Sequence, residues 1–156
     1  MSYKYSTQLI ENSAKAIGLA LPISRKQSIM ICQKIRGMNV QKAKNLLEKV
    51  MNKKEPIPFT RFAEGAGHKA GMSSGKYPIK ACSQILTLLK SAEANAQYKG
   101  LGTGNLIVKH VVTQKGPTTQ KHGRIRGNAK RTHVEIVLEE SKTTTEKKTK
   151  QKKVTK

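Results

Sequence analysis

Six fixed cations, Lys115, Lys121, Arg124, Arg126, Lys130 and Arg131, stand within the nineteen residues 114–132, and no carboxylate stands among them. Ammonium and guanidinium groups placed this way, between Gly116, Gly123 and Gly127, hydrogen-bond to phosphates and neutralise them. The stretch has no Phe, Tyr or Trp, so stacking of bases on aromatic rings is not its mode. Beside the cations, Thr118, Thr119 and Asn128 suit the phosphates and 2′-hydroxyls of a folded RNA. Ile125 is its one large apolar side chain. Such a segment cannot bury enough apolar surface to offset its own ordering entropy, and a polyanion would supply the reason to order.

Other chemistries are poorly supplied. No Cys-x-x-Cys or His-x-x-x-His spacing links Cys32, Cys82, His68, His110, His122 or His133, so neither a metal site nor a cofactor is expected. Cleaving or modifying RNA would need a general acid–base pair or an acid cluster around a metal. All nine acids are Glu, and Glu11, Glu48, Glu55, Glu64 and Glu93 are scattered. Glu139 and Glu140 are adjacent on a strand and point to opposite faces. The chain is not expected to be an enzyme. Gly100, Gly102 and Gly104 have the spacing of a dinucleotide loop, but they follow a helix and precede a strand, the reverse of the order phosphate binding requires.

The 156 residues carry 31 Lys and Arg, for a net charge of +22. Self-repulsion at that density favours a phosphate-rich partner, because each neutralised phosphate releases counterions. With roughly ten phosphate contacts, log affinity would fall with log salt at a slope of about −7 to −9. No apolar run approaches the length of a membrane span, and Met1, Ser2, Tyr3 and Lys4 do not open a signal peptide. The expectation is a cytosolic protein with no membrane partner, its two cysteines reduced and buried.

Elements must hold these cations in place. Alternation over 12–21 (Ala14, Ala16, Gly18, Ala20) predicts a strand ended by Pro22. Ser24 as N-cap with Gln27 three residues on predicts a helix with Met30, Ile31 and Ile35 inward, stopped at Gly37. Asn39 caps a second helix with Val40, Ala43, Leu46, Leu47 and Val50 on one face. The polar faces of these two carry Lys26, Lys34, Arg36, Lys42, Lys44 and Lys49. Residues 52–77 show no periodicity but hold Arg61, Lys69 and Lys76, and are expected to be a second loop that orders on RNA. Pro78 opens a third helix with Cys82, Ile85, Leu86, Leu89, Ala92 and Ala96 in one stripe, ended at Gly100.

Leu106, Val108, His110 and Val112 are expected on one face of a strand, and Val134, Ile136 and Leu138 on one face of its return. His110 and His133 would then face each other across the hairpin. The fold class is α+β: a three-stranded antiparallel sheet packed on three helices, with a long extended basic β-hairpin. Residues 1–140 would form one domain, with a hairpin arm over about 105–140 and its tip at about 114–132. A ten-residue half-arm could reach ~33 Å at strand spacing. With Pro117 removing a ladder donor, the arm is expected to be mobile when free and fixed when bound. Residues 141–156, with seven lysines against Glu146, would be a disordered basic tail.

Several separate motifs occur in the order seen in one family. Ile23-Ser24-Arg25-Lys26, Ile31-Cys32, Ile35-Arg36-Gly37-Met38-Asn39-Val40, Ala43-Lys44 and Leu47-Glu48 resemble the first half of the universal large-subunit ribosomal protein numbered twenty-two in bacteria and seventeen in eukaryotes. Gly67-His68-Lys69, Gly75-Lys76-Tyr77-Pro78, the run from Ala92 to Leu101 and His133-Val134-Glu135-Ile136-Val137-Leu138 resemble its archaeal and eukaryotic branch. The resemblance covers roughly residues 5–140.

It implies a structural constituent of the large subunit in the cytoplasm. The body would be seated on large-subunit rRNA (23S/28S type) beside neighbouring ribosomal proteins, with the hairpin lining the nascent-peptide exit tunnel. Of the expected rRNA-binding residues, the resemblance implies Ser24, Lys26, Arg36, Gly37, Asn95, Lys115, Arg124, Arg126, Lys130 and Arg131, and Arg25, Arg61, His68, Lys69, Lys76, Lys99, Lys121 and His122 complete the expected set. The tip departs from the family's Pro-Arg-Ala-x-Gly-Arg-Ala, retaining only Gly123-Arg124-Ile125, and is several residues shorter than in archaeal relatives. Losing six residues would cut the reach by about 10 Å. An architectural DNA binder with a basic β-arm is the alternative reading, although Ile125 and Pro117 make poor base-step wedges.

Overall fold

The chain runs β1 (Ser13–Leu21), α1 (Arg25–Ile35), α2 (Val40–Met51), β2 (Ile57–Pro58), β3 (Gly75–Lys76), α3 (Ile79–Tyr98), a 3-10 turn (Thr103–Asn105), β4 (Leu106–Lys115), β5 (Thr119–Gln120), β6 (Asn128–Ala129) and β7 (Thr132–Glu140). This computed structural model describes residues 4–8 and 12–141, so all but the first residue of the expected basic tail lies outside the described residues. Strand β7 is central in an antiparallel sheet of order β1-β7-β4. The helices cover one face: α3 lies on β1 and β7, α1 on β4, and α2 on α3. Small residues in β1 let α3 approach closely. A Cβ on Gly18 would come within 2.7 Å of Leu88 Cδ1.

The expected stripes are inside. Met30, Ile31 and Ile35 of α1, Val40, Ala43, Leu47 and Val50 of α2, and Cys82, Ile85, Leu86, Leu89, Ala92 and Ala96 of α3 are buried against Val134, Ile136 and Leu138. Asn39 caps α2 by accepting the Gln41 N–H at 2.9 Å. Gly100, at φ +74°, ends α3 in a two-bond motif: its N–H bonds the Gln97 carbonyl and that of Leu101 the Ala96 carbonyl.

Four expectations need correction. Ser24 stands at the N-cap of α1, but its side chain makes no capping hydrogen bond; its carbonyl takes the Ser28 N–H and hydroxyl instead. Residues 52–77 are not structureless. Ile57 and Phe59, separated by Pro58, are both buried, and β2 pairs with β3.

The alternation in β4 is broken. Val108 pairs with Leu138 but His110 pairs with Val137, so Lys109 is an extra residue in a β-bulge. A one-residue insertion exchanges the faces: Leu106 and Val108 point to the core before it and Val111 after it, while His110 and Val112 turn to the opposite face. His110 and His133 consequently do not pair. His110 Nε2 lies 3.0 Å from Ser6 Oγ, and His133 Nδ1 accepts the Ala20 N–H.

The second face of the sheet is covered in part by residues 4–8. Glu135, wholly buried there, accepts from the Ser6 N–H and hydroxyl and from Gln114 Nε2. Beyond Lys115 the hairpin continues as the two-residue ladder of β5 and β6, with the turn closed by a bond from the Lys121 N–H to the Gly127 carbonyl.

Candidate nucleic-acid interface

The bulge has a consequence for the arm's first cation. Because the faces exchange at Lys109, Lys115 falls on the helix side of β4, opposite Thr132 of β7. Thr132 is buried and its hydroxyl bonds the Ile23 carbonyl at 2.9 Å, which fixes the neck of the hairpin against the residue two before α1. Gly116 continues the contact, its N–H bonding the Arg131 carbonyl at 2.9 Å. The result is a cleft of about 480 Å³ between the start of α1 and the hairpin neck.

That cleft gathers residues from distant parts of the sequence. Ser24, Arg25 and Lys26 line one side, and Lys115, Lys130 and Arg131 the other, with Thr118 and Asn128 between the cations. No carboxylate among the described residues lines it. The Ser24 side chain is unused as a cap and no acid stands in the first turn, so neither takes the opening N–H groups of α1. A helix N-terminus of this kind attracts an anion through its N–H groups and dipole. Five cations beside it make the cleft fit a polyphosphate chain better than a single small anion.

Arg36 and Arg61 meet elsewhere. They line a recess of about 340 Å³ with Gln33 and Thr113, whose buried hydroxyl has no hydrogen-bond partner among the described residues. One Arg36 amino group donates to the Val111 carbonyl, and the Gly37 N–H donates to the Val108 carbonyl, so this pair also ties the end of α1 to β4. Lys121 joins Lys130 and Arg131 in a third recess against Pro22. Lys80, which its spacing did not single out, lines the same recess from the first turn of α3; a lone exposed lysine on an amphipathic helix gives no signal of its neighbours.

The rest of the expected set is dispersed. His122, Arg124 and Arg126 are exposed at the tip. His68 is exposed, whereas the ammonium groups of Lys69 and Lys76 lie over the rings of Tyr77 and Phe59 at 5.5 and 5.4 Å. Lys76 also donates to the Glu64 carbonyl. Asn95 and Lys99 bond the Lys15 and Ser13 carbonyls, fastening α3 to β1. Lys44, placed by its spacing on a polar face, is mostly buried in an ion pair with Glu93.

The cysteines are both free and buried. Burial pushes the Cys32 and Cys82 thiols up to about 12, and for Cys32 the Arg36 guanidinium offsets part of that. Neither is a nucleophile at neutral pH. Among the described residues, no group of three His, Cys, Asp or Glu is placed to hold a metal ion. No helix among them is long and apolar enough to cross a membrane.

Comparison with known proteins places this architecture. Residues 16–139 match the family described as Ribosomal protein L22p/L17e. The chain is 40% identical over 147 residues to the large ribosomal subunit protein uL22 of Methanocaldococcus jannaschii, covering 88% of this chain and 94% of the relative. It is 42% identical over 139 residues to the protein of the same name from Methanococcoides burtonii, covering 86% and 91%. Against that of Aspergillus fumigatus it is 41% identical over 157 residues, covering 92% and 81%.

Proposed function

The chain belongs to the Ribosomal protein L22p/L17e family, and from that premise we propose that it is a non-enzymatic structural constituent of the large ribosomal subunit. It binds large-subunit rRNA, supports assembly of the subunit, and works in the cytoplasm as part of the ribosome. The observation that carries the reading is the convergence of Arg25, Lys26, Lys115, Lys130 and Arg131 on one carboxylate-free cleft in a member of this family. The DNA-binding alternative has no support from relatives named as large-subunit proteins.

The cleft holds the rRNA backbone, and the recess of Arg36 and Arg61 takes a second strand segment. Asn95 and Lys99 present the end of α3, and His68, Lys69 and Lys76 the loop before it. The exposed tip with Lys121, His122, Arg124 and Arg126 extends from this base toward the path of the nascent peptide, among neighbouring large-subunit proteins. Residues 1–140 act as one rRNA-binding unit, and the lysines of 141–156 add sequence-independent attraction.

Sedimentation of a tagged copy from cells, with a salt wash, tests this. Stoichiometric retention on large subunits through high salt is expected. Migration with free protein or with chromatin would overturn it.

A further inference from the structure

Five aromatic rings lie among the described residues, and four are capped in the same way. Lys15 lies over Tyr5 at 5.2 Å, Lys26 over Phe62 at 5.4 Å, Lys69 over Tyr77 at 5.5 Å and Lys76 over Phe59 at 5.4 Å. The fifth, Tyr98, is 95% exposed, and no lysine among the described residues covers it. It sits at the end of α3, held there by the two-bond C-terminal motif, so its position is fixed although its ring is bare. An exposed tyrosine on a rigid element is a platform without an occupant.

The surroundings select the occupant. Tyr98 lines a recess of about 500 Å³ with Lys15, Lys99, Leu88 and Asn95, and no carboxylate among the described residues lines it. Lys99 and Asn95 donate to the Ser13 and Lys15 carbonyls of the edge strand β1. Those two bonds use acceptors that an added peptide strand would need, which disfavours docking of an extended peptide there. A flat apolar face flanked by two ammonium groups instead matches a nucleobase with a phosphate on either side.

We propose that Tyr98 stacks against one unpaired base of large-subunit rRNA, with Lys15 and Lys99 beside the flanking phosphates. The proposal rests on the rRNA-binding reading and adds to it a stacking contact outside the basic arm.

Full-length chain and large-subunit rRNA transcript would be titrated over a range of salt, using wild type, Tyr98→Ala and Tyr98→Phe. Tyr98→Ala should weaken binding about tenfold, the size of one base–aromatic stack, with the salt slope unchanged. Tyr98→Phe should bind as wild type does. Ultraviolet crosslinking of purified subunits should place a nucleotide on Tyr98. Tyr98→Ala binding within twofold of wild type, or a crosslink from Tyr98 to a protein, would overturn the stack. Neither result touches the wider reading, which would fail here if the wild type itself bound rRNA without a steep salt slope. Circular dichroism of each variant excludes misfolding as the cause.

Discussion

The Thr132 hydroxyl donates to the Ile23 carbonyl at 2.9 Å inside the protein, joining residues 109 apart in sequence. One lies at the neck of the hairpin and the other just before α1, so this bond sets the width of the cationic cleft. Thr132→Val keeps the shape but leaves a buried carbonyl unpaired, which should cost about 1–3 kcal/mol. Thr132→Ser keeps the donor and should cost about 0.8 kcal/mol for the lost methyl. Urea denaturation checks the order. If valine proved as stable as threonine, the bond would not be what holds the neck.

Gly116 faces the same neck from the other strand. A Cβ there would lie 3.0 Å from the Arg131 carbonyl carbon and 3.1 Å from its oxygen. Backbone cannot yield as a side-chain tip can, so Gly116→Val should force the strands apart at a cost of about 1–3 kcal/mol. The loss should be local. Hydrogen exchange would speed at the Gly116 amide, which now bonds Arg131, while amides of α3 stay protected.

These two contacts mark where the sequence is legible and where it is not. The stripe of Cys82, Ile85, Leu89 and Ala96 and the Asn39 cap are local patterns, and they appear as the spacing predicts. The bulge at Lys109 leaves no trace, because Leu106, Val108, His110 and Val112 alternate straight through it. Its cause lies in the pairing partner and in Gly37 and Met38, whose backbone groups take both outward groups of Val108. Ile57 and Phe59 form too short a period to stand out from the glycines around them. Glu135 gives no sign of its burial because its partner Ser6 is 129 residues away. The cations of the cleft could be named individually, but their convergence depends on that unseen bulge.

Burial raises both thiols from the ordinary 9.0 to about 12, so the folded state prefers them protonated. A folded pKa above the unfolded one contributes stability that is whole below pH 9 and is lost as pH rises toward 12. The urea midpoint should therefore fall across that window, and less steeply in Cys82→Val. At pH 8 the native thiols would stay protonated, so an aromatic disulfide reagent should label them slowly until urea is added. Rapid labelling of the native protein would contradict the burial.

Charge in the cleft and charge at the tip make different demands on salt. Arg25, Lys115 and Lys130 are exposed yet held around one cavity by the neck, so phosphates can meet all three at once. Replacing them together with Ala should lower the rRNA salt slope by roughly 2–3 units, at about 0.7–0.9 per phosphate contact. Arg124 and Arg126 are exposed on a turn that only the Lys121 and Gly127 backbone closes. Holding them in place costs entropy that the cleft residues have already lost, so each gains less on binding. The Arg124→Ala, Arg126→Ala pair should shift the slope by less than about 1 unit, short of two full phosphate contacts. When Lys130→Ala and Arg131→Ala are added to that pair, the yield of assembled subunits should fall, because those two residues belong to the cleft. An equal loss of slope per residue replaced in the cleft and tip variants would show that the arm binds as an unstructured polycation and that the cleft confers nothing.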